Sequence, residues 1–238
     1  YCSSAIVYHH LVTHNNVDPD DINFVHINYG MELPTTFDYE KDSFYMVDFT
    51  LQPKDKMIEF AQRCGDRLVW IDHHETAIDA VGDELEHVKG MRESGIAACE
   101  LTWQYFFPEP TPQVVDTVGT YDIWDNADKE AWDEYVLPLQ MFLRSFDSRA
   151  VKLNRAYEGI NWWCRMFAED EVPESIFEAG RVLLKYSQKE DDRAVKGTGY
   201  FGKFAGHSAF FVNRRGNSTM FERVIDPEAV DEIGRAHV

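Results

Sequence analysis

The 238-residue chain has only four cysteines, Cys2, Cys64, Cys99 and Cys164. They are widely spaced and form no CxxC pair, which excludes a zinc knuckle and a disulfide framework and makes a reduced, cytoplasmic compartment the expectation. No apolar run approaches the roughly 18 residues of a membrane span. Basic residues are scarce: 23 Lys and Arg stand against 42 Asp and Glu, a formal net charge of −19. So acidic a chain repels a long phosphate backbone, and no tract of nucleic acid is an expected partner. A small anionic substrate held through a metal remains compatible. The start, Tyr1-Cys2-Ser3-Ser4, has no initiator Met, charged leader or long apolar segment, so no signal peptide is expected there and the chain reads as a fragment or a processed form.

What is present is a chain able to build its own core. Hydrophobic residues make up 44% and aromatics 14%, too apolar for disorder. The length suits one large domain, or one with a smaller companion. Ser3 to Thr13 reads as a helix. Residues 22–27, 43–49 and 67–71 read as strands, and Pro53 opens a helix between the last two. Strands alternating with helices, two of them nearly all apolar, predict an α/β fold with a mostly parallel sheet flanked by helices. Beyond residue 92 the pattern is helical. Helices are expected over 94–106 with Ser94 as cap, over 111–121, over 130–146 with a break at Pro138, over 150–168 and over 173–192. Ile176, Val182, Leu183 and Leu184 are expected on the apolar side of the last. Two strands joined at Gly206 then begin a smaller α/β unit. The expected division is 1–195 and 196–238.

In such sheets polar chemistry collects past the carboxyl ends of the strands. Asp48 and Asp72-His73-His74 both fall there. Adjacent side chains on an extended segment point opposite ways, so one His is expected to face a metal and the other the substrate or the core. Imidazole and carboxylate together suit Mn, Fe, Co or Zn. Holding two divalent ions about 3.5–4 Å apart needs a bridging carboxylate, a role Asp48 suits by position. The segment Gly119-Thr120-Tyr121-Asp122-Ile123-Trp124-Asp125 offers a further carboxylate at a helix end. On spacing alone, a metal site and a hydrogen-bonded strand end both stay open.

Four segments, taken in order, carry a resemblance: Val47-Asp48-Phe49-Thr50, Ile71-Asp72-His73-His74-Glu75-Thr76, Glu93-Ser94-Gly95-Ile96-Ala97-Ala98 and Val118-Gly119-Thr120-Tyr121-Asp122. Together they resemble the motifs of the DHH phosphoesterase superfamily, across roughly residues 1 to 125, and most nearly its nanoRNase and cyclic-nucleotide phosphodiesterase-like branch. Residues 200–213 resemble the start of the family's smaller DHHA1 substrate domain. The resemblance implies a hydrolase with two divalent metal ions, usually manganese. It implies that Asp48 bridges both metals, that His73 and Asp122 bind the second, that His74 faces the substrate phosphate and that Asp72 orients the histidine pair. The implied substrate is a short oligonucleotide or a small, sometimes cyclic, nucleotide. The family's opening His-x-Asp-x-Asp-Gly and its late Gly-Gly-His-like loop are not found in these 238 residues. The chain is therefore expected to be truncated at both ends, with three of the expected ligands.

Two other readings accompany this one: a phosphatase acting on pyrophosphate, polyphosphate or a nucleotide monophosphate, and a non-catalytic nucleotide-binding module. Arg214 and Arg215 are candidates to clasp a substrate phosphate by charge-assisted hydrogen bonds, or form a solvated turn before Gly216. His9, His10 and His14 lie close together, but without the Glu of a zinc-protease pattern they read as packing or surface residues. His207 reads as structural. Trp162, Trp163 and Phe167, at helical spacing, read as core rather than as a base-stacking set.

Overall fold

The computed structural model describes residues 1–145, 158–169, 171–204, 206–212 and 220. The fold is α/β and 57% helix, with a small parallel sheet. Helix α1 (Cys2–Thr13) precedes strand β1 (Phe44–Val47), helix α2 (Lys54–Cys64), strand β2 (Leu68–Ile71) and helix α3 (Glu75–Val81). The β1–α2–β2 unit forms because apolar, strand-favouring runs flank an amphipathic helix with Pro53 at its N-cap. The two strands pair in parallel, Phe44 opposite Leu68 through Val47 opposite Ile71. Residues 89–93 extend the pairing on the other side of β2. Trp70 N–H donates to Lys89 O (2.8 Å) and Asp72 N–H to Met91 O (3.1 Å). Gly90 makes this approach possible, since a Cβ there would lie 1.9 Å from Trp70 O.

The sheet is smaller than expected. Residues 22–27 join no strand, although Ile22 and Phe24 are half-buried and Asn23 and Val25 exposed, the alternation of a strand. Their side chains find an apolar surface, with Phe24 stacked on Tyr8 at 5.9 Å, but the backbone finds no ladder partner among the described residues. Apolar alternation predicts a face; it cannot supply a neighbouring edge.

The helices follow. Helix α4 (Ala98–Phe106) starts later than the Ser94 cap suggested. Glu100 Oε2 accepts from Ala97 N–H (3.1 Å), which fixes the start at Ala97, and Gly95 turns at φ 84° ahead of it. Helix α5 spans Gln113–Asp122. The next predicted helix is split into α6 (Lys129–Ala131), a wider π turn at Trp132–Val136 and α7 (Leu137–Ser145). Pro138 has no N–H to give the carbonyl four residues back, Glu134 O, and Arg181 Nη1 donates to it instead (3.1 Å). Helix α8 is Glu158–Ala168, and residues 150–157 of the predicted helix lie outside the described residues. Helix α9 (Glu174–Thr198) continues three residues past the expected boundary at 195. Val182 on it is exposed, not core, because the packed face carries Ile176, Phe177 and Gly180 and helical geometry turns Val182 to the opposite side. Strands β3 (Tyr200–Phe204) and β4 (His207–Phe211) then form an antiparallel hairpin, with Phe204 opposite His207.

Two apolar clusters hold the unit together. One, built on α1, α4, α5 and the later helices, includes Ile6, Leu139, Trp163 and Phe177. The other, built on β1, α2 and β2, includes Met57, Phe60, Leu68 and Trp70. Side chains buried as fully as these contribute about 1.5–3 kcal/mol each. Trp162, Trp163 and Phe167 are buried in the helical cluster and offer no face to a base. His9, His10 and His14 pack against Phe106, Phe107 and Phe167. No helix among the described residues is long and apolar enough to cross a membrane.

Candidate metal centre

The site lies where β1 and β2 end. Asp48 N–H makes the last ladder bond, to Ile71 O (2.9 Å). Its backbone then turns into the left-handed region at φ 57°, a conformation Asp tolerates better than most residues. On the next strand, Asp72 is wholly buried, with 0% side-chain exposure. Its Oδ1 accepts from His73 N–H (2.8 Å), His74 N–H (3.3 Å) and His74 Nδ1 (2.7 Å). Its Oδ2 accepts from Thr50 Oγ1.

These bonds change the expected direction of the two histidines. Asp72 curls the chain out of the strand and into α3, whose N-cap is His74. Both imidazoles therefore sit together, 4.6 Å apart and edge to face, rather than on opposite sides. His73 Nε2 lies 3.5 Å from Asp48 Oδ1 and 3.4 Å from Asp122 Oδ2. One donor atom from each of Asp48, His73 and His74 falls within 4.8 Å of the others. His74, placed towards a phosphate by the resemblance, is thus as near these donors as a ligand would be. Asp122 meets the group through His73.

Asp122 reaches the site from the end of α5. Gly119, one turn earlier, lets Glu100 pass, because a Cβ there would lie 2.4 Å from Glu100 Oε2. Glu100 both caps α4 and stands within the electrostatic reach of Asp122.

The charges explain the proton affinities. Burial alone would raise Asp72, but the hydrogen bonds from His74, Thr50 and the His73 backbone outweigh it and hold its pKa below the usual carboxylate value. The bond His73 donates to Asp48 raises His73, against burial and helped by Asp122. The bond His74 donates to Asp72 raises His74 in the same way. Asp122 is raised by burial and by repulsion from Asp48. An ionised Asp72 can only accept, so His74 Nδ1 donates to it. That leaves Nε2 as the free donor atom of a neutral ring, the arrangement in which a histidine binds metal well. Crowded carboxylates and two oriented imidazoles form a donor set that fits a borderline divalent ion.

The predicted residues Asp48, Asp72, His73, His74 and Asp122 thus come together. Arg214 and Arg215 lie outside the described residues. Residue patterns did not assign a part to Thr50, Glu100 or Gly119. Thr50 carried a weak signal, as a hydroxyl two residues after a strand-end Asp. The contact between Glu100 and Gly119 depends on two helices meeting. Against known proteins, no family model, curated protein or solved structure matches the chain.

Proposed function

We propose that the protein is a metal-dependent phosphoesterase that hydrolyses phosphodiester bonds in short oligonucleotides or small nucleotides. The observation that carries this reading is the convergence of Asp48, His73 and His74 donor atoms within 4.8 Å at the carboxyl ends of parallel strands. The four ordered motifs resembling DHH phosphoesterases support the substrate class. Asp48, His73, His74 and Asp122 would hold divalent metal, with manganese the expected ion. Bound there, such ions lower the pKa of water and offset charge on the phosphate and leaving oxygens.

The chain's own residues set up that chemistry. Asp72 fixes the tautomer and tilt of His74, and Thr50 fixes Asp72. Asp48 and Asp122 approach one ring nitrogen of His73 from two elements, so strand and helix must dock correctly for the set to form. The test is Mn²⁺-dependent hydrolysis of bis(p-nitrophenyl) phosphate. Asp48→Ala is expected to lower it at least about 100-fold, beyond the loss typical of outer-sphere partners, and Arg214→Ala far less. Equal losses would contradict a ligand role for Asp48. Metal binding with no hydrolysis of any phosphoester would favour a non-catalytic nucleotide-binding module.

A further inference from the structure

A tyrosine stands beside the site on a segment that the metal centre does not use. Met31 N–H donates to Asn28 O (3.0 Å), and Tyr29 N–H to Asn28 Oδ1 (2.8 Å). This closes a turn in which Gly30 takes φ 82°. The turn presents Tyr29 with 53% of its surface exposed. Its ring lies tilted against Phe49, centroids 5.2 Å apart. Phe49 sits between Asp48 and Thr50, the residues that supply a donor and fix Asp72. Partial burial, and after it the charges of Asp72 and Asp48, raise the pKa of the Tyr29 hydroxyl.

A half-exposed aromatic ring pinned by a hydrogen-bonded turn has lost its freedom before any ligand arrives. Its immediate surroundings are acidic, so an anionic substrate gains nothing from charge there except through metal. What Tyr29 offers is a flat π face beside the place where a metal-held phosphate would lie. Nucleobases use such faces regardless of sequence.

We propose that Tyr29 stacks on the nucleobase adjoining the metal-bound phosphate, so that the site takes phosphate esters of nucleosides in preference to bare inorganic phosphates. This rests on the phosphoesterase reading. The test is equilibrium binding of adenosine 5′-monophosphate, inorganic phosphate and Mn²⁺, each measured separately, to the full chain, the two anions in the presence of Mn²⁺. Tyr29→Ala and Tyr29→Phe are compared with the unaltered protein. Tyr29→Ala is expected to weaken the nucleotide about 5- to 150-fold, while phosphate and Mn²⁺ affinities stay within about twofold. Tyr29→Phe is expected to keep the nucleotide affinity, because the ring and not the hydroxyl makes the contact. Unchanged nucleotide affinity in Tyr29→Ala overturns the proposal. So does an equal loss in Tyr29→Phe, or nucleotide binding in the unaltered protein no tighter than phosphate. In each of those cases normal Mn²⁺ binding leaves the metal centre standing. Failure of the unaltered protein to bind Mn²⁺ removes both readings together.

Discussion

At Asp72 a single buried carboxylate organises four groups: the Thr50 hydroxyl, the His74 ring and two backbone N–H groups. Every donor around it points inward. Asp72→Asn replaces one acceptor oxygen with an NH₂ that must face a donor. The expected cost is about 2 kcal/mol of folding stability, read from denaturant midpoints. Loss of the His74 orientation should also weaken Mn²⁺ binding about 10- to 100-fold. A variant as stable and as tight-binding as the parent would contradict the organising role. The same bonds give a pH signature in the metal-free protein. The folded-state pKa of His74 is raised, so its contribution is fully present below the ordinary value near 6.5 and is lost as pH rises through the folded value. Measured against His74→Gln, which cancels the other groups, the parent should gain stability as pH falls from about 8 to about 6. A gain in the other direction would contradict it. His9 and His10 have the reverse sign: burial lowers both, so acidification through the ordinary value takes stability away.

At the scale of elements, the α4–α5 contact places Asp122. Glu100 lies against Gly119 and caps α4 through Ala97 N–H. Gly119→Ala should drive Glu100 off that bond and separate the helices, at about 1–2 kcal/mol in stability. Mn²⁺ affinity should fall with it, because Asp122 moves. Unchanged stability in thermal unfolding would contradict the tight contact. Most elements were legible before this contact was known. Pro53 announced α2, and the apolar runs at 44–47 and 68–71 announced β1 and β2. Ser94 is a good cap by type, yet Glu100 reaches back only to Ala97. Residues 22–27 alternate like a strand but meet no ladder partner among the described residues. The π turn ahead of Pro138 depends on Arg181, which lies 43 positions further along the chain. The α4 start was decided by a side chain three residues away, and the other two turned on partners distant in sequence.

Over the whole molecule, Cys2, Cys64, Cys99 and Cys164 are all free thiols, the first three buried. The candidate site was legible as a set of residues because strand ends collect polar groups, and Asp48 and Asp72-His73-His74 mark two adjacent strand ends. Asp122 was legible only through the resemblance, since 49 positions separate it from His73 and its place depends on helix packing. The shared direction of the two imidazoles was not legible at all, because Asp72 overrides the alternation of an extended chain. The central claim is that these side chains form one metal centre. Its most direct test is Mn²⁺ binding to the full chain followed by electron paramagnetic resonance, beside His73→Ala. The account predicts saturable binding in the parent that is lost in the variant, which lacks the ring nitrogen shared by Asp48 and Asp122. Equal binding in both, or none in the folded parent, would contradict it.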